Sequence, residues 1–218
     1  MTGASSSLRP ALDRVATQLE LDLSDAQAQS LIEYLALLQR WNGTYNLTSV
    51  REPGQMLTQH LADCLAVIAP LRGRLGAAHA RVLDVGSGGG LPGVVIALLN
   101  PGFDVTCVDA VGKKAAFLRQ VAGELRLRNL HVEHLRVEQW ASAGFDLIVS
   151  RAFASLGDFT RLTRAHLDEG GAWMAMKGKT PAEELAHLPS NIEVFHVEHL
   201  VVPGLEAERC LIWMKERR

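Results

Sequence analysis

The sequence predicts an α/β protein: a doubly wound, mostly parallel seven-stranded sheet with an N-terminal helical extension and an antiparallel hairpin at one edge. Three observations carry this. From about residue 80 onward, short apolar runs alternate with amphipathic segments, the grammar of strand–helix–strand units. The first run leads into Asp84-Val-Gly-Ser-Gly-Gly-Gly-Leu-Pro-Gly93, a glycine-rich turn. The last two runs are joined around Val202-Pro-Gly204 without room for a good helix, so they are expected to pair antiparallel.

The opening residues 1–7, Met-Thr-Gly-Ala-Ser-Ser-Ser, are small and polar and lack the apolar stretch of a secretory signal. They read as the frayed tail of a cytoplasmic protein. Ser24 with Gln27 has the form of a capping box, and Ala28, Leu31, Leu35 and Leu38 recur at helical spacing. A helix is therefore predicted over residues 24–41, broken by Asn42-Gly43. A second is predicted from Pro53 or Gly54 to Ile68, stopping before Pro70. A boundary near His79 divides the helical extension, residues 1–78, from an α/β body, residues 79–218, the two packed as one unit. Strands are predicted over 81–85, 104–109, 130–134, 145–150, 172–177, 192–197 and 209–214. The clearest helix between them is 112–126, where Phe117, Val121 and Leu125 form one stripe.

At 218 residues, 48% hydrophobic and 21% charged, the chain can bury a sizeable core. Its longest apolar run, 94–99, falls far short of the roughly 20 residues of a membrane span. A net charge of −2 argues against a protein that coats nucleic acid indiscriminately. Between Ala110 and Arg136, however, six basic residues stand against two acidic ones, which allows a local basic patch or a solvated helix face. Cys64, Cys107 and Cys210 have no CxxC spacing, and the eight histidines no ligand spacing. Neither a disulfide framework nor a metal site is indicated.

The glycine loop carries the chemistry. Gly-rich turns after a first strand aim backbone N–H groups and a helix N-terminus at a ligand. Here the spacing is Gly86-x-Gly88-x-Gly90; a dinucleotide fingerprint would need glycine at Leu91, and no lysine follows Gly93 as a P-loop requires. Asp84 and Asp109 end the first two strands, which a doubly wound sheet makes neighbours, and Asp109 suits a ribose diol. Carboxylates here would repel a pyrophosphate and tolerate a cation, so an adenosine carrying a sulfonium, S-adenosylmethionine, fits best. Enzymes that methylate exocyclic amines resemble one another in an Asp/Asn-Pro-Pro-aromatic segment after the fourth strand. This chain has Ser150-Arg-Ala-Phe153 there. No cysteine stands where a nucleophile for pyrimidine carbon would be needed. What remains is an acceptor with its own lone pair, such as purine N7, served by positioning rather than a general base.

Several segments together resemble the bacterial 16S rRNA guanosine-N7 methyltransferase family, also called small-subunit methyltransferase G or glucose-inhibited division protein B. They are Trp41-Asn42, Tyr45-Asn-Leu-Thr-Ser-Val50, His60-Leu-Ala-Asp63, the glycine loop, Asp109-Ala-Val-Gly-Lys-Lys114, Phe117-Leu-Arg-Gln120, Arg136-Val-Glu138, Ser150-Arg-Ala-Phe-Ala-Ser155 and Lys177-Gly178. The resemblance implies a class I, Rossmann-like methyltransferase that uses S-adenosylmethionine and yields S-adenosylhomocysteine. Its acceptor would be one guanosine in the decoding-region loop of 16S rRNA, met in the free RNA or the 30S subunit, with no membrane and no obligate protein partner. It implies further that Gly86, Leu91, Val137, Glu138 and Arg151 line the cofactor site, with Asp109 near the ribose, and the reading of the loop adds Asp84, Gly88 and Gly90 to that site. Lys113, Arg136, Arg151 and Lys177 would make the basic rim that meets RNA, with Arg151, Arg136 and Lys177 positioning the acceptor. The loop departs from the family in reading Ser-Gly-Gly-Gly where many relatives look like Thr-Gly-Pro-Gly.

Other readings stay open. Arg151 and Lys177 also suit strand-end ion pairs, His60 and Asp63 a structural polar pair, and Trp41 and Tyr45 packing between extension and sheet. A small-molecule methyltransferase would share the loop without needing the basic cluster, and a noncatalytic sensing module would bind the donor without turnover.

Overall fold

The computed structural model describes residues 3–76, 79–151, 153 and 155–217. Met1 and Thr2 of the expected tail, and the boundary expected at residue 78, lie outside the described residues. The extension comprises α1 (Gly3–Gln18), α2 (Asp25–Tyr45), α3 (Pro53–Met56), a π-helical turn (Leu57–Ala62), α4 (Asp63–Leu65) and α5 (Ile68–Leu75). The body runs β1 (Ala80–Val85), α6 (Gly93–Leu99), β2 (Phe103–Asp109), α7 (Gly112–Glu124), β3 (Leu130–His134) and β4 (Phe145–Ser150). It continues with α8 (Leu156–Thr163), β5 (Leu167–Lys177), α9 (Ala182–Ala186), β6 (Ile192–Leu200) and β7 (Arg209–Glu216).

The seven strands lie in the order β3-β2-β1-β4-β5-β7-β6. The first five are parallel, and β7 runs antiparallel between β5 and β6. Strand order reverses between β1 and β4, and it is outside the carboxyl ends of such a switch point that open α/β sheets bind ligands. Side chains alternate across the sheet: Val82 joins a core with α1, α2, α5 and α6, while Leu83 joins a second core with Phe159 and Trp173. This period of two is what lets both faces be buried. The first core runs without interruption from Leu12 on α1 to Trp213 on β7. No helix of the described residues is long and apolar enough to cross a membrane.

Four expectations are corrected. The polar start does not fray from Gly3 onward; it opens α1, whose Leu12, Val15 and Ala16 are buried in the shared core. Asn42-Gly43 does not end α2, which runs on to Tyr45 and stops at Asn46 in the left-handed conformation. Asn42 turns its side chain inward instead, donating to the Val50 carbonyl at 3.1 Å and accepting from the Thr48 N–H at 2.8 Å. The expected second helix is broken by the π turn. A new helix, α5, then begins at Ile68 and contains Pro70, tolerated in a first turn whose N–H groups have no intrahelical acceptor. Finally, α7 stops at Glu124, and Arg126 takes φ 53°.

Candidate active site

After β1 the chain turns through Gly86–Pro92 into α6. Gly86 and Gly90 adopt φ of 69° and 88°, a region that costs other residues roughly 1–2 kcal/mol. Their roles differ. A Cβ on Gly86 would enter open space, whereas one on Gly90 would come within 2.5 Å of Leu118 and Val94. The first glycine leaves room on the ligand side, and the second lets α6 and α7 close beneath the loop.

Two carboxylates shape this turn. Asp109 accepts from the Gly88 N–H at 2.9 Å and the Val111 N–H at 2.8 Å, with Lys114 Nζ 3.6 Å away. Asp84 is 0% exposed and accepts from the Gly93 N–H at 2.8 Å, fixing the start of α6 from below. Its other oxygen, Oδ1, has no partner among the described residues. Burial pushes the Asp84 carboxyl up to about 7, against the pull of the Gly93 N–H and Arg151.

Above the loop is a cavity of about 200 Å³ whose lining includes Leu38, Thr48, Gly86, Leu91, Lys114 and Arg151. A second cleft of about 380 Å³ adds Asp63, Lys177 and Arg209. His60 and Arg151 belong to both. A larger cavity of about 880 Å³ lies at the opposite end of the strands, around Arg74, Asp168 and Glu193. It holds none of the expected site residues and is remote from the switch point, so the paired cavities are the candidate site.

The shared wall is tightly held. Arg151 Nη1 lies 3.4 Å from both Asp63 Oδ2 and the Gln59 carbonyl. Asp63 Oδ1 accepts from Arg209 Nε at 2.8 Å. His60 contacts the Gln59 carbonyl through Nδ1 at 3.1 Å and Thr48 Oγ1 through Nε2 at 2.8 Å. Because a carbonyl only accepts, Nδ1 carries the proton and the Thr48 hydroxyl donates to Nε2. Burial, and then the Arg151 charge, lower the His60 pKa, so the ring is neutral at neutral pH. His60 sits in the π-helical turn, a geometry that recurs at functional sites.

The expected site residues are thus only partly gathered. Gly86, Gly88, Leu91 and Arg151 line the first cavity, and Arg151 and Lys177 the second. Lys177 Nζ is held by both oxygens of Glu184, at 3.0 and 2.9 Å. Lys113 Nζ donates to the Tyr45 carbonyl at 2.8 Å. Arg136 stands out at 67% side-chain exposure, 3.9 Å from Glu138, and Val137 is buried with its carbonyl 2.9 Å from His166 Nε2. His60 and Asp63 bond to other elements in the contacts above, while Trp41 packs 4.9 Å from Tyr45 and 5.5 Å from Phe117. Sequence reasoning missed Leu38, Thr48, Lys114 and Arg209 as lining residues. Lys114 had a signal, since it follows Lys113 at the start of α7; Arg209, brought in by the edge hairpin, had none.

The family model described as rRNA small subunit methyltransferase G (GidB) matches residues 27–212. The chain is 58% identical over 210 residues to a ribosomal RNA small subunit methyltransferase G of Methylibium petroleiphilum, covering 96% of this chain and 95% of that one. It is 59% identical to the protein of that name from Leptothrix cholodnii, covering 93% of each. Among solved structures, a 1,6-didemethyltoxoflavin-N1-methyltransferase of Burkholderia thailandensis has a TM-score of 0.59 at 17% identity, covering 85% of this chain and 90% of that one. A ribosomal protein L11 methylase of Lactobacillus delbrueckii has a TM-score of 0.55 at 17% identity, covering 72% of this chain and 77% of that one. At such identities the likeness speaks for the class I methyltransferase fold alone, whereas the match along most of the sequence is decisive: the chain belongs to the rRNA small subunit methyltransferase G family.

Proposed function

We propose that the chain transfers the methyl group of S-adenosylmethionine to N7 of a guanosine in the decoding-region loop of 16S rRNA, within the free RNA or the 30S subunit. The observation that carries the reading is the wall of His60 and Arg151 common to the glycine-loop cavity and the basic cleft. Donor and acceptor can meet only where two such sites share a boundary.

The residues at the loop fit the donor. The open space at Gly86 and Gly88, where a Cβ would meet nothing closer than 3.9 Å, is a cradle for a ligand. Asp109, with lone pairs beyond those taken by Gly88 and Val111, suits ribose hydroxyls. Gly86, Gly88, Leu91, Asp109 and Arg151 would hold the donor, with Val137 and Glu138 on its flank. When bound, S-adenosylmethionine supplies a methyl group activated by the sulfonium charge.

The chain's own residues then act by placement. N7 has a lone pair and no proton to lose, so no general base is required, and a neutral His60 with both nitrogens engaged offers none. Asp63 between Arg151 and Arg209 leaves one net positive charge there rather than two, which favours a purine that becomes cationic. Arg136, with 67% of its side chain exposed, suits phosphate contacts that set RNA register. Leu38 reaches the cavity from α2, which supports extension and body working as one unit. Three buried free thiols suit a reducing cytoplasm.

Incubation with methyl-labelled S-adenosylmethionine and either isolated 16S rRNA or 30S particles, with nucleoside mapping, tests this. Label in N7-methylguanosine is expected. Label in neither RNA would end the proposal, and label on another atom would correct the acceptor.

A further inference from the structure

We infer that Tyr34, on helix α2 of the extension, is a positioning residue for the donor: its hydroxyl sets the glycine loop from behind. The inference rests on the reading of that loop as the donor cradle. Tyr34 is 0% exposed, and its Oη donates to the Gly89 carbonyl at 2.6 Å across 55 positions of chain. Between Gly86 and Gly90 the one side chain is that of Ser87, its Oγ donating to the Asp84 carbonyl at 2.8 Å; Gly88, Gly89 and Gly90 have none of their own, so their placement depends on bonds to their backbone. Gly86 N–H goes to the Val108 carbonyl at 2.9 Å, Gly88 N–H to Asp109 at 2.9 Å and Gly90 N–H to the Ser87 carbonyl at 2.7 Å. Tyr34 anchors the carbonyl at the middle of this run, between two glycines with positive φ.

The same face of α2 continues the support. Leu38, one turn on, lies 3.3 Å from where a Gly89 Cβ would stand and lines the first cavity. Trp41, a further turn on, donates from Nε1 to Gln120 on α7 at 3.0 Å. Tyr34, Leu38 and Trp41 are spaced as one helical face, so α2 braces the loop and the helix that follows β2 together. Burial holds the Tyr34 hydroxyl in its protonated, donating form at any working pH. Tyr34 lines neither cavity, so its hydroxyl acts on the donor site through the Gly89 carbonyl, while its ring packs on Phe117 of α7 and is kept in Tyr34→Phe.

The test is calorimetric titration with S-adenosylhomocysteine, below each variant's melting point, of the wild-type chain, Tyr34→Phe and Phe159→Leu. The last trims an equally buried aromatic in the other core. Tyr34→Phe should bind about tenfold more weakly, the size of one lost hydrogen bond. Its KM for S-adenosylmethionine should rise in step, with kcat and the KM for RNA within twofold of wild type. Phe159→Leu should melt lower yet bind as wild type. Unaltered affinity in Tyr34→Phe, or equal weakening in both variants, would reduce Tyr34 to ordinary packing. A wild-type chain that binds no S-adenosylhomocysteine would overturn the donor reading itself, and this inference with it.

Discussion

Arg209 Nε lies 2.8 Å from Asp63 Oδ1, joining the edge hairpin to the broken helix across 146 positions of sequence. The other oxygen of Asp63 faces Arg151 at 3.4 Å. Asp63 is itself buried, at 4% side-chain exposure, while the arginines are 25% and 27% exposed. Removing the carboxylate leaves two guanidiniums facing one another. Asp63→Ala should cost about 2 kcal/mol of stability, below the full value for a buried pair because the arginines reach solvent. Its kcat/KM for RNA should fall by at least about tenfold, since Arg151 loses its fixed position. Chemical denaturation and steady-state kinetics check the two halves separately.

The glycines of the loop separate binding from folding. Gly90→Ala should lower stability by about 3 kcal/mol or more, from left-handed strain plus overpacking against Leu118 and Val94. Gly86→Ala meets no neighbour and should lose only about 1–2 kcal/mol, yet it fills the cradle and should abolish measurable donor binding. Thermal melts beside donor titrations distinguish them, and equal behaviour of the two variants would contradict the division of roles.

Asp84 makes stability fall with rising pH. Its folded pKa, about 7, lies above the ordinary carboxylate value of 3.8. Between those values the folded chain holds a proton that the unfolded chain has released. This contribution is therefore fully present below about pH 4 and is lost as pH rises to about 7. Asp84→Asn cannot titrate, so the stability of wild type relative to this variant should decline across that window, by at most about 1.4 kcal/mol per pH unit. Denaturation of both proteins at pH 4, 5.5 and 7 measures it; a constant difference would sink the assignment.

The two basic residues expected at the rim should behave unlike one another. Arg136 is exposed, and Arg136→Ala should weaken RNA binding with a salt slope smaller by about one. Lys177 is already paired with Glu184, so Lys177→Ala should leave Glu184 unopposed, and Lys177→Ala/Glu184→Ala should recover much of the loss. Binding isotherms across a range of salt concentrations report both.

The sequence by itself determined the alternation of strands, the antiparallel edge hairpin, the glycine loop and the carboxylate that answers it from β2. Each is a local pattern: period-two burial, turn chemistry, and residues placed at strand ends that a parallel sheet must set side by side. Tertiary structure decided what closes the site. Asn42 reads locally as a helix breaker and becomes a loop clamp because the Val50 carbonyl and Thr48 N–H return to it. His60 and Asp63 read as a local pair and instead serve Thr48, Arg151 and Arg209, because the π turn and the edge hairpin bring those groups within reach. Tyr34 carries no motif, yet burial of the amphipathic α2 leaves its hydroxyl against the Gly89 carbonyl. Contacts spanning 55, 88 and 146 positions follow from how hydrophobic faces stack, and no local period in the chain encodes them.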